Sequence, residues 1–386
     1  MKKERSFWIR IIVVSSLIVL LIIFSILKTN PDICEGWTRS ISRFYGSIVS
    51  KISSVVPFSL TELYFVSLAL GIISLLVFGI INLCKKRFIK SLCRALDIAF
   101  VILLTIDVYN ISCEFAYHRK EMPLPYYQND VDRTEHTDIY NYFANDVNAC
   151  VSHLEFDSNG DVKASMSLKD LTKEIKEAYQ IIDGNSYFNS YFGSVKPMLS
   201  SFLYREFQIT GVTNNSLCEA NINTLNTNSN IPLTVAHELA HTKGVMREDD
   251  ANKLAFYVCL NSNSYYLRYS AYVSYFYQME AMTSSYYLTE EERDTLIAID
   301  NSFYKTRSYE YKFWQEHDLL GDIGDYFNDL YIKMSGVKEG TTSYSGGTAY
   351  EHDPLTSKLI PSLYQKLFFT KYYQYCVSLD TESSVL

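Results

Sequence analysis

Two histidines and a glutamate in one short segment have the spacing of a metal-dependent hydrolase site. The segment 232–241 contains the pattern HExxH, formed by His237, Glu238 and His241. Residues four apart are about one helical turn apart, so both imidazoles project from the same face and can bind one zinc ion. Glu238 lies beside them and can take a proton from a water molecule that the metal activates.

The segment that carries this pattern is otherwise apolar and favours a helix. Leu233, Val235 and Leu239 surround the three polar residues, and Pro232 occupies a first-turn position, where helices accept proline. Two histidines and a glutamate buried without a metal would be costly to desolvate. The segment is therefore predicted to be a buried helix that holds a metal.

A catalytic zinc ion needs a third protein ligand and one open position. Seven residues after His241 an acidic cluster begins at Glu248, and Gly244 is available to turn the chain back. Glu248 is the predicted third ligand, with Asp249 and Asp250 as alternatives. An acid at this place also has a purely structural explanation, because the N-terminus of a helix favours negative charge.

Two further stretches could complete a hydrolytic site. Glu219, Asn221 and Asn223 precede the predicted metal helix by about a dozen residues, in a stretch compatible with an exposed edge strand that pairs with an extended peptide. The alternative for this stretch is a polar loop. Tyr344 and His352, in and after a glycine-rich loop, are predicted donors to the oxyanion that develops during hydrolysis.

The surroundings of these residues predict a mainly helical domain over 128–386. Helical patterns dominate after residue 232, and Thr289 followed by Glu292 is a capping box. Short aromatic or β-branched stretches at 188–196 and 209–212 predict strands. The expected fold class is a mainly α, α+β zincin-like domain with a small edge sheet, preceded by an α-helical membrane module.

The first 112 residues form the predicted membrane module. Apolar stretches at about 7–27, 61–83 and 95–112 approach the length that crosses a bilayer. Asp107 interrupts the third stretch. A signal peptide is the alternative for the first, but its apolar run is longer than usual and no small-residue cleavage site follows.

Charge sets the expected orientation. Five basic residues and no acid lie between the second and third stretches, and the N-terminus is also basic. Both are predicted to face the cytoplasm. With three spans in the cytoplasmic membrane, a linker at 113–127 then leads to the domain 128–386 outside it.

The distribution of charge along the chain also restricts which partners the protein can bind. Residues 1–112 contain 13 Lys and Arg against 6 Asp and Glu, whereas the remainder contains 22 against 37. An acidic outer part without a basic cluster repels phosphate backbones, so nucleic acid is excluded as a partner. The expected partners are the lipid bilayer and a peptide or protein substrate in the cell envelope.

The stretch 248–252, read as Glu-x-x-Ala-Asn, resembles the Glu-x-x-Ala-Asp that supplies the third zinc ligand in membrane-bound gluzincins of the CAAX-endopeptidase type. In those proteins the leading Glu binds the metal, which implies Glu248 here. Asn252 replaces the Asp, one turn on and on the same face as Glu248. This difference weakens the inference that Asn252 supports the metal site, but it does not affect the inference that Glu248 is the ligand.

A closer resemblance covers most of the chain. It is to an uncharacterised bacterial family of three-span membrane proteins with an extracytoplasmic zincin-like domain. The matching stretches are 219–223, 234–241, 247–252 and 328–333, with 340–344 behind them. The family is named for a domain of unknown function, so the resemblance implies a fold and a zinc peptidase but no substrate.

Two functions are therefore considered. The first is a membrane-anchored metallopeptidase with one Zn²⁺ per chain and Glu238 as the general base. The alternative is a catalytically silent zincin-fold sensor or assembly factor that binds a cell-envelope peptide or partner. Intact Glu238 favours the first, because a binding module has no need of a proton acceptor. A transporter is excluded, since three spans without paired broken helices give no evident path.

Overall fold

The computed structural model describes residues 2–352 and 359–383. Within them the prediction of a mainly helical chain with a small sheet is confirmed. The helices are α1 (Lys2–Leu27), α2 (Pro31–Trp37), α3 (Arg43–Ser53), α4 (Leu60–Cys84), α5 (Phe88–Ser112), α6 (His136–His153), α7 (Leu168–Ala178), α8 (Ser201–Glu206), α9 (Ile231–Thr242), α10 (Glu248–Leu260), α11 (Tyr265–Tyr275), α12 (Tyr277–Glu280), α13 (Glu290–Asp294), α14 (Asn301–Glu316), α15 (Gly321–Met334) and α16 (Leu363–Ser383). The strands are β1 (Ser194–Pro197), β2 (Gly211–Asn214), β3 (Glu219–Ile222), β4 (Glu351–His352) and β5 (Leu359–Ile360).

Two of the described helices are long and apolar enough to cross a membrane, namely α1 over Glu4–Leu27 and α4 over Leu60–Cys84. None of the most apolar part of α4 is buried inside the protein, which indicates membrane association. The third predicted span, at about 95–112, is helical as part of α5. Asp97 and Asp107 interrupt its apolar surface, and α5 is not among the helices that meet the same criterion.

Helix α5 packs against both α1 and α4. At one end of the pair α1 and α5, Arg10 donates to Asp97 over 2.7 Å. At the other end, the Lys28 ammonium lies 3.1 Å from the Glu114 carboxylate. The two helices therefore run parallel. A short connection, 85–87, joins α4 to α5, so α4 runs antiparallel to α1 and α5. The start of α4 therefore lies beside the end of α5, where the rest of the protein packs.

The sheet beside α9 has the strand order β1-β3-β2, with β1 parallel and β2 antiparallel to β3. The sequence predicted the stretch of Glu219, Asn221 and Asn223 to be an exposed edge strand for a peptide substrate. Residues 219–222 do form a strand, but β3 is central and all three predicted substrate residues are buried. The expectation of an edge strand is wrong, because a central strand already pairs its backbone groups on both sides.

Side chains of β1 and β3 instead bind the first turn of α4. The Glu219 carboxylate accepts hydrogen bonds from the N–H groups of Leu60 at 3.3 Å and Thr61 at 3.0 Å, and the Lys196 ammonium lies 2.5 Å from it. The side chains of Lys196 and Glu219 are only 3% and 0% exposed. The first N–H groups of a helix lack partners within it and favour negative charge. This buried ion pair therefore fixes α4 to the sheet.

Glu219→Gln is expected to lower the free energy of unfolding by about 3–5 kcal/mol, because it leaves the Lys196 charge buried without its partner. The measurement is thermal or chemical unfolding of the full chain in detergent micelles. Glu177→Gln is the matched control, since it breaks an exposed pair with Lys173 at 3.8 Å and should cost less than about 1 kcal/mol. A Glu219 variant as stable as the control would contradict this docking role.

The segment 113–127, predicted as a linker, is packed into the protein. Phe115 is fully buried, so hydrophobic contacts anchor the segment. Arg119 donates two hydrogen bonds of 2.9 Å to the Glu35 carboxylate and one of 2.9 Å to the carbonyl of Gly244. The segment predicted as a linker thus also contacts, through Arg119, both α2 and the turn that follows α9.

Helices α9, α10 and α11 lie at the centre of the hydrophobic core. Val235 and Leu239 of α9, Leu254 of α10 and Leu267 of α11 are fully buried. Because α9 is surrounded by protein, the polar side chains in it must find partners inside the protein rather than in water.

Candidate metal centre

The start and end of helix α9 are set by local sequence. The helix begins at Ile231 with Pro232 in its first turn, where a proline loses no hydrogen bond. It ends at Thr242, and Gly244 has a φ of +85°, a left-handed conformation that favours glycine. The chain turns there, and α10 begins at Glu248 and packs against α9.

Three side chains from these two helices bring one ligand atom each to a common point. His237 Nε2 lies 3.1 Å from both His241 Nε2 and Glu248 Oε2, and His241 Nε2 lies 3.5 Å from Glu248 Oε2. A tetrahedral zinc ion with ligand distances of about 2.0–2.1 Å requires separations of about 3.3–3.4 Å between ligand atoms. The observed triangle fits that requirement, and these three residues could hold a metal ion.

A hydrogen bond to the other ring nitrogen orients His241. Its Nδ1 donates to the carbonyl of Val245 over 2.8 Å. Because a carbonyl can only accept, this bond fixes a proton on Nδ1 and leaves Nε2 to face the other ligand atoms. Val245 follows Gly244, so the turn after α9 orients the His241 ring.

The charges of His241 and Glu248 depend on one another. Burial lowers the pKa of His241, but the Glu248 carboxylate, with a smaller contribution from Glu238, raises it to about 9. Burial raises the pKa of Glu248, whereas His241 and His237 hold that pKa well below its ordinary value. A cation bound at the shared point would replace the proton that this carboxylate otherwise holds on His241.

Glu238 is buried beside this cluster, against strand β2. Its carboxylate accepts a hydrogen bond of 2.7 Å from the Thr213 hydroxyl. Burial raises the pKa of Glu238, while the two histidines and the Thr213 bond oppose that shift. A Cβ atom on Gly211 would lie 2.5 Å from Glu238 Oε1 and 2.6 Å from its Cγ. Only glycine therefore allows β2 to approach Glu238 this closely.

The alternative acidic ligands have other partners. The Asp250 carboxylate lies 2.6 Å from Arg247 and 2.9 Å from Lys253, and Asp249 lies 3.0 Å from the same lysine. Both acids thus neutralise nearby cations, one at the N-cap of α10 and one within the helix. The structure brings Glu248, and neither of these acids, to the two histidines.

Tyr344, a predicted oxyanion donor, lies in a 3-10 turn next to the cluster. Asn252 donates to its backbone carbonyl at 3.2 Å, and Asn328 of α15 donates to its hydroxyl at 3.3 Å. Burial and the charge of Glu248 raise the pKa of Tyr344 well above its ordinary value, so its hydroxyl stays protonated. Asn252 therefore supports this turn. The other predicted donor, His352, is in β4, and its side chain lies outside the described residues.

Sequence reasoning missed further residues at the cluster. The hydroxyl of Tyr117 lies 3.4 Å from that of Tyr331. Burial raises the pKa of both tyrosines, and the Glu248 charge adds to this. No local pattern marks these two residues, which come from distant parts of the chain. Gly211 did carry a signal, because a glycine within a strand pattern marks a close approach of the backbone.

Comparisons with known proteins identify a family. No curated protein and no solved structure matches the chain. The model of a family described as "Protein of unknown function (DUF3810)" matches residues 37–350, a range that contains the cluster of His237, His241 and Glu248, the β1-β3-β2 sheet and helices α4 and α5. Because the match extends over most of the chain, the protein belongs to the DUF3810 family.

Proposed function

We propose that this protein is a membrane-anchored, zinc-dependent metallopeptidase that binds one zinc ion per chain through His237, His241 and Glu248. The observation that carries the proposal is the triangle of ligand atoms, with sides of 3.1, 3.1 and 3.5 Å, next to the buried carboxylate of Glu238. Catalytic zinc sites typically have three such ligands and one open position. The zincin-like fold expected from the resemblance is part of this proposal.

Each remaining group has a role in hydrolysis. A zinc ion bound at this point would polarise a substrate carbonyl and lower the pKa of a water molecule to about 7. Glu238 accepts the proton of the attacking water and passes it to the leaving amine. The Thr213 hydroxyl and the close contact with Gly211 hold the Glu238 carboxylate beside the histidines.

The open edge of the sheet offers a place for an extended peptide. Strand β2 lies at this edge, and the bond from the Asn223 N–H to the Thr210 carbonyl sets the pattern of its pairing with β3. Because the pairing alternates in an antiparallel ladder, the N–H and C=O groups of Gly211 and Thr213 point away from β3. A substrate strand paired there would pass beside Glu238. Strand β2 thus takes the role first expected of β3.

Tyr344 is the proposed donor to the oxyanion. Its hydroxyl is held by Asn328, and its turn is fixed to α10 through Asn252. A protonated hydroxyl held beside the metal ligands can stabilise the negative charge that develops on a substrate carbonyl oxygen.

The proposal includes three spans, α1, α4 and α5, in the cytoplasmic membrane. Support for the third span comes from the packing of α5 against both apolar helices and from its parallel alignment with α1. The connection between α4 and α5 and the first residues of α5, together 85–94, contain five basic residues and no acid, which assigns this segment to the cytoplasm. The N-terminus is then cytoplasmic, and the domain after Ser112 faces peptides and proteins of the cell envelope.

Metal content and peptide cleavage by the purified full chain test this function. We expect about one zinc ion per chain, and cleavage of library peptides that a chelator abolishes and zinc restores. A chain that binds no zinc would overturn the proposal. Zinc binding without cleavage of any library or cell-envelope peptide would favour the silent binding module instead.

Gly211→Ala is expected to reduce peptide hydrolysis on the order of 100-fold, the cost of misplacing a catalytic group by about 1 Å. The added methyl group would displace Glu238, whereas the ligands on α9 and α10 keep their positions, so zinc content should not change. Steady-state kinetics and metal analysis measure the two effects. Gly36→Ala is the control, because no atom lies within 4 Å of a Cβ there. Full activity in the Gly211 variant would contradict the close approach.

A further inference from the structure

Helix α15 exposes an apolar stripe to the surroundings. Ile323, Phe327, Leu330 and Met334 are all exposed, and at about 100° per residue they lie within roughly 60° of the helix circumference. Ile332 is buried on the opposite side. This helix therefore packs through one face and presents large apolar side chains on another.

Helices α3 and α8 present similar surfaces. Phe44, Ile48 and Ile52 follow one another at intervals of one turn along α3, and all are exposed. Phe202 and Leu203 are exposed on α8. Single exposed apolar residues are ordinary on soluble proteins, but contiguous apolar surface marks an interaction site.

All three helices adjoin one end of the apolar helices. Glu62, in the first turn of α4, accepts hydrogen bonds from the N–H groups of Leu199 at 2.6 Å and Ser200 at 2.9 Å, immediately before α8. Tyr109, in the last turn of α5, shares a hydrogen bond of 2.8 Å with Tyr331 of α15. Helix α3 leads into α4 through a short connection. The three apolar stripes thus lie next to the start of α4 and the end of α5.

The metal cluster adjoins the same end. One small cavity is lined both by His241 and by Ser112 and Cys113, at the end of α5. Helix α15 also reaches the cluster, since Asn328 donates to the Tyr344 hydroxyl. Helix α15 therefore contacts the site through one face and exposes its apolar stripe on another.

We propose that α3, α8 and α15 form a collar whose apolar stripes lie in the outer leaflet of the bilayer, and that the collar holds the metal site at the membrane surface, where it cleaves membrane-anchored polypeptides. The substrate class rests on the proposed peptidase function. Lipid is the occupant that continuity favours, because the stripes adjoin the ends of the helices that enter the bilayer. Helices with separate apolar and charged faces lie in this way in a membrane interface. The charged Asp322, Asp325 and Lys333 of α15 lie outside its apolar stripe.

Fluorescence quenching tests the collar independently of any enzymatic activity. In the full chain with Trp8→Phe, reconstituted in phosphatidylcholine vesicles, Phe44→Trp, Phe202→Trp and Phe327→Trp each add one fluorophore to a stripe. These phenylalanines are 70%, 64% and 62% exposed, so the exchange leaves internal packing intact. The control is Tyr304→Trp on α14, a helix that packs against α6 and α11.

Lipids brominated on their acyl chains are expected to quench the added emission of the three collar variants at least about twice as strongly as that of the α14 control, because the quencher acts only on groups within the leaflet. Equally weak quenching in all four variants would overturn the collar and would leave the stripes to a protein partner.

Cleavage of one peptide in two forms tests the substrate class. The peptide is supplied free, or joined to a lipid in the vesicles that hold the protein. Confinement to the surface raises the effective concentration, so the anchored form should be cut about 10-fold faster or more. Phe202→Asp should reduce this preference, because a charge in the stripe moves the metal site away from the surface, without changing cleavage of the free peptide.

Equal rates for the two forms would overturn the substrate class. If neither form is cut while the collar tryptophans are quenched, the peptidase function fails and the collar stands.

Discussion

Glu238→Gln is expected to keep the fold and the zinc ion and to lower kcat/KM for peptide hydrolysis by about 10²- to 10⁴-fold. The amide preserves the shape of the side chain and can still accept the Thr213 hydrogen bond, but it cannot accept the proton of the attacking water. In the proposed site the two histidines and Glu248 would hold the metal without Glu238, so zinc content should remain at one ion per chain. The measurement compares metal-replete wild type and variant on the same peptides.

Glu310→Gln is the matched control for this exchange. Its carboxylate accepts a hydrogen bond of 3.0 Å from Asn230, at the start of α9, and lies outside the metal cluster. Burial raises the pKa of Glu310 to about 7, so the amide resembles its protonated form and activity should persist. Equal cleavage by wild type and the Glu238 variant would remove Glu238 from the mechanism. If neither wild type nor the Glu238 variant cleaved any peptide or any protein in cell-envelope extracts, the silent binding module would be favoured.

The parts of the site that depend on local geometry could be predicted from the sequence. His237 and His241 share a face whenever their segment is helical, because four residues make about one turn. Glu248 reaches them because Gly244 permits a left-handed turn, with φ at +85°. The capping box at Thr289 is present for the same local reason. Each of these features is determined by residues that are close in sequence.

The position of a strand within its sheet could not be predicted in this way. The polar residues of β3 have the pattern of an exposed strand, but they are buried against α4. The Glu219 carboxylate accepts from the N–H of Thr61 at 3.0 Å, and the Asn221 amide donates to the hydroxyl of the same threonine, also at 3.0 Å. A polar residue with a buried partner has the same local sequence pattern as one that faces water. Only the partner, distant in sequence, distinguishes the two.

The change in net charge after residue 112 predicted that the two parts of the chain have different surroundings. It gave no indication of the interface between them. Side chains of α3 and its surroundings bind the later part of the chain. Arg43 donates to the carbonyls of Ser186 at 2.8 Å and Phe188 at 3.0 Å, and the Tyr45 hydroxyl donates to the carbonyl of Ser216 at 2.6 Å. Net charge reports the environment of a segment, whereas these contacts depend on single side chains. The packing of α3 against the later part of the chain determines which of its side chains remain exposed as an apolar stripe.

Glu248→Ala is expected to weaken zinc binding by more than about 100-fold, whereas Asp250→Ala should leave the zinc affinity within a few-fold of wild type. Residues that only orient a metal ligand typically contribute about 10- to 100-fold to affinity, so loss of one of three direct ligands should exceed that range. Asp250 is buried between Arg247 at 2.6 Å and Lys253 at 2.9 Å. Its removal should cost folding stability, because it takes away the buried carboxylate that pairs with both cations, but the ligand triangle remains.

The two variants are closely matched, because each removes one carboxylate from the first turn of α10 and weakens the same interaction with the helix dipole. Zinc affinity is measured by competition with a chelating dye, and also by the rise in melting temperature when zinc is added, since a metal that binds only the native state stabilises it. Retained affinity in Glu248→Ala with lost affinity in Asp250→Ala would reassign the third ligand. That outcome would require α10 to rotate by roughly 200°, which would break the pairs of Asp250 with Arg247 and Lys253. Because those buried pairs oppose the rotation, the packing of α10 favours Glu248 as the ligand.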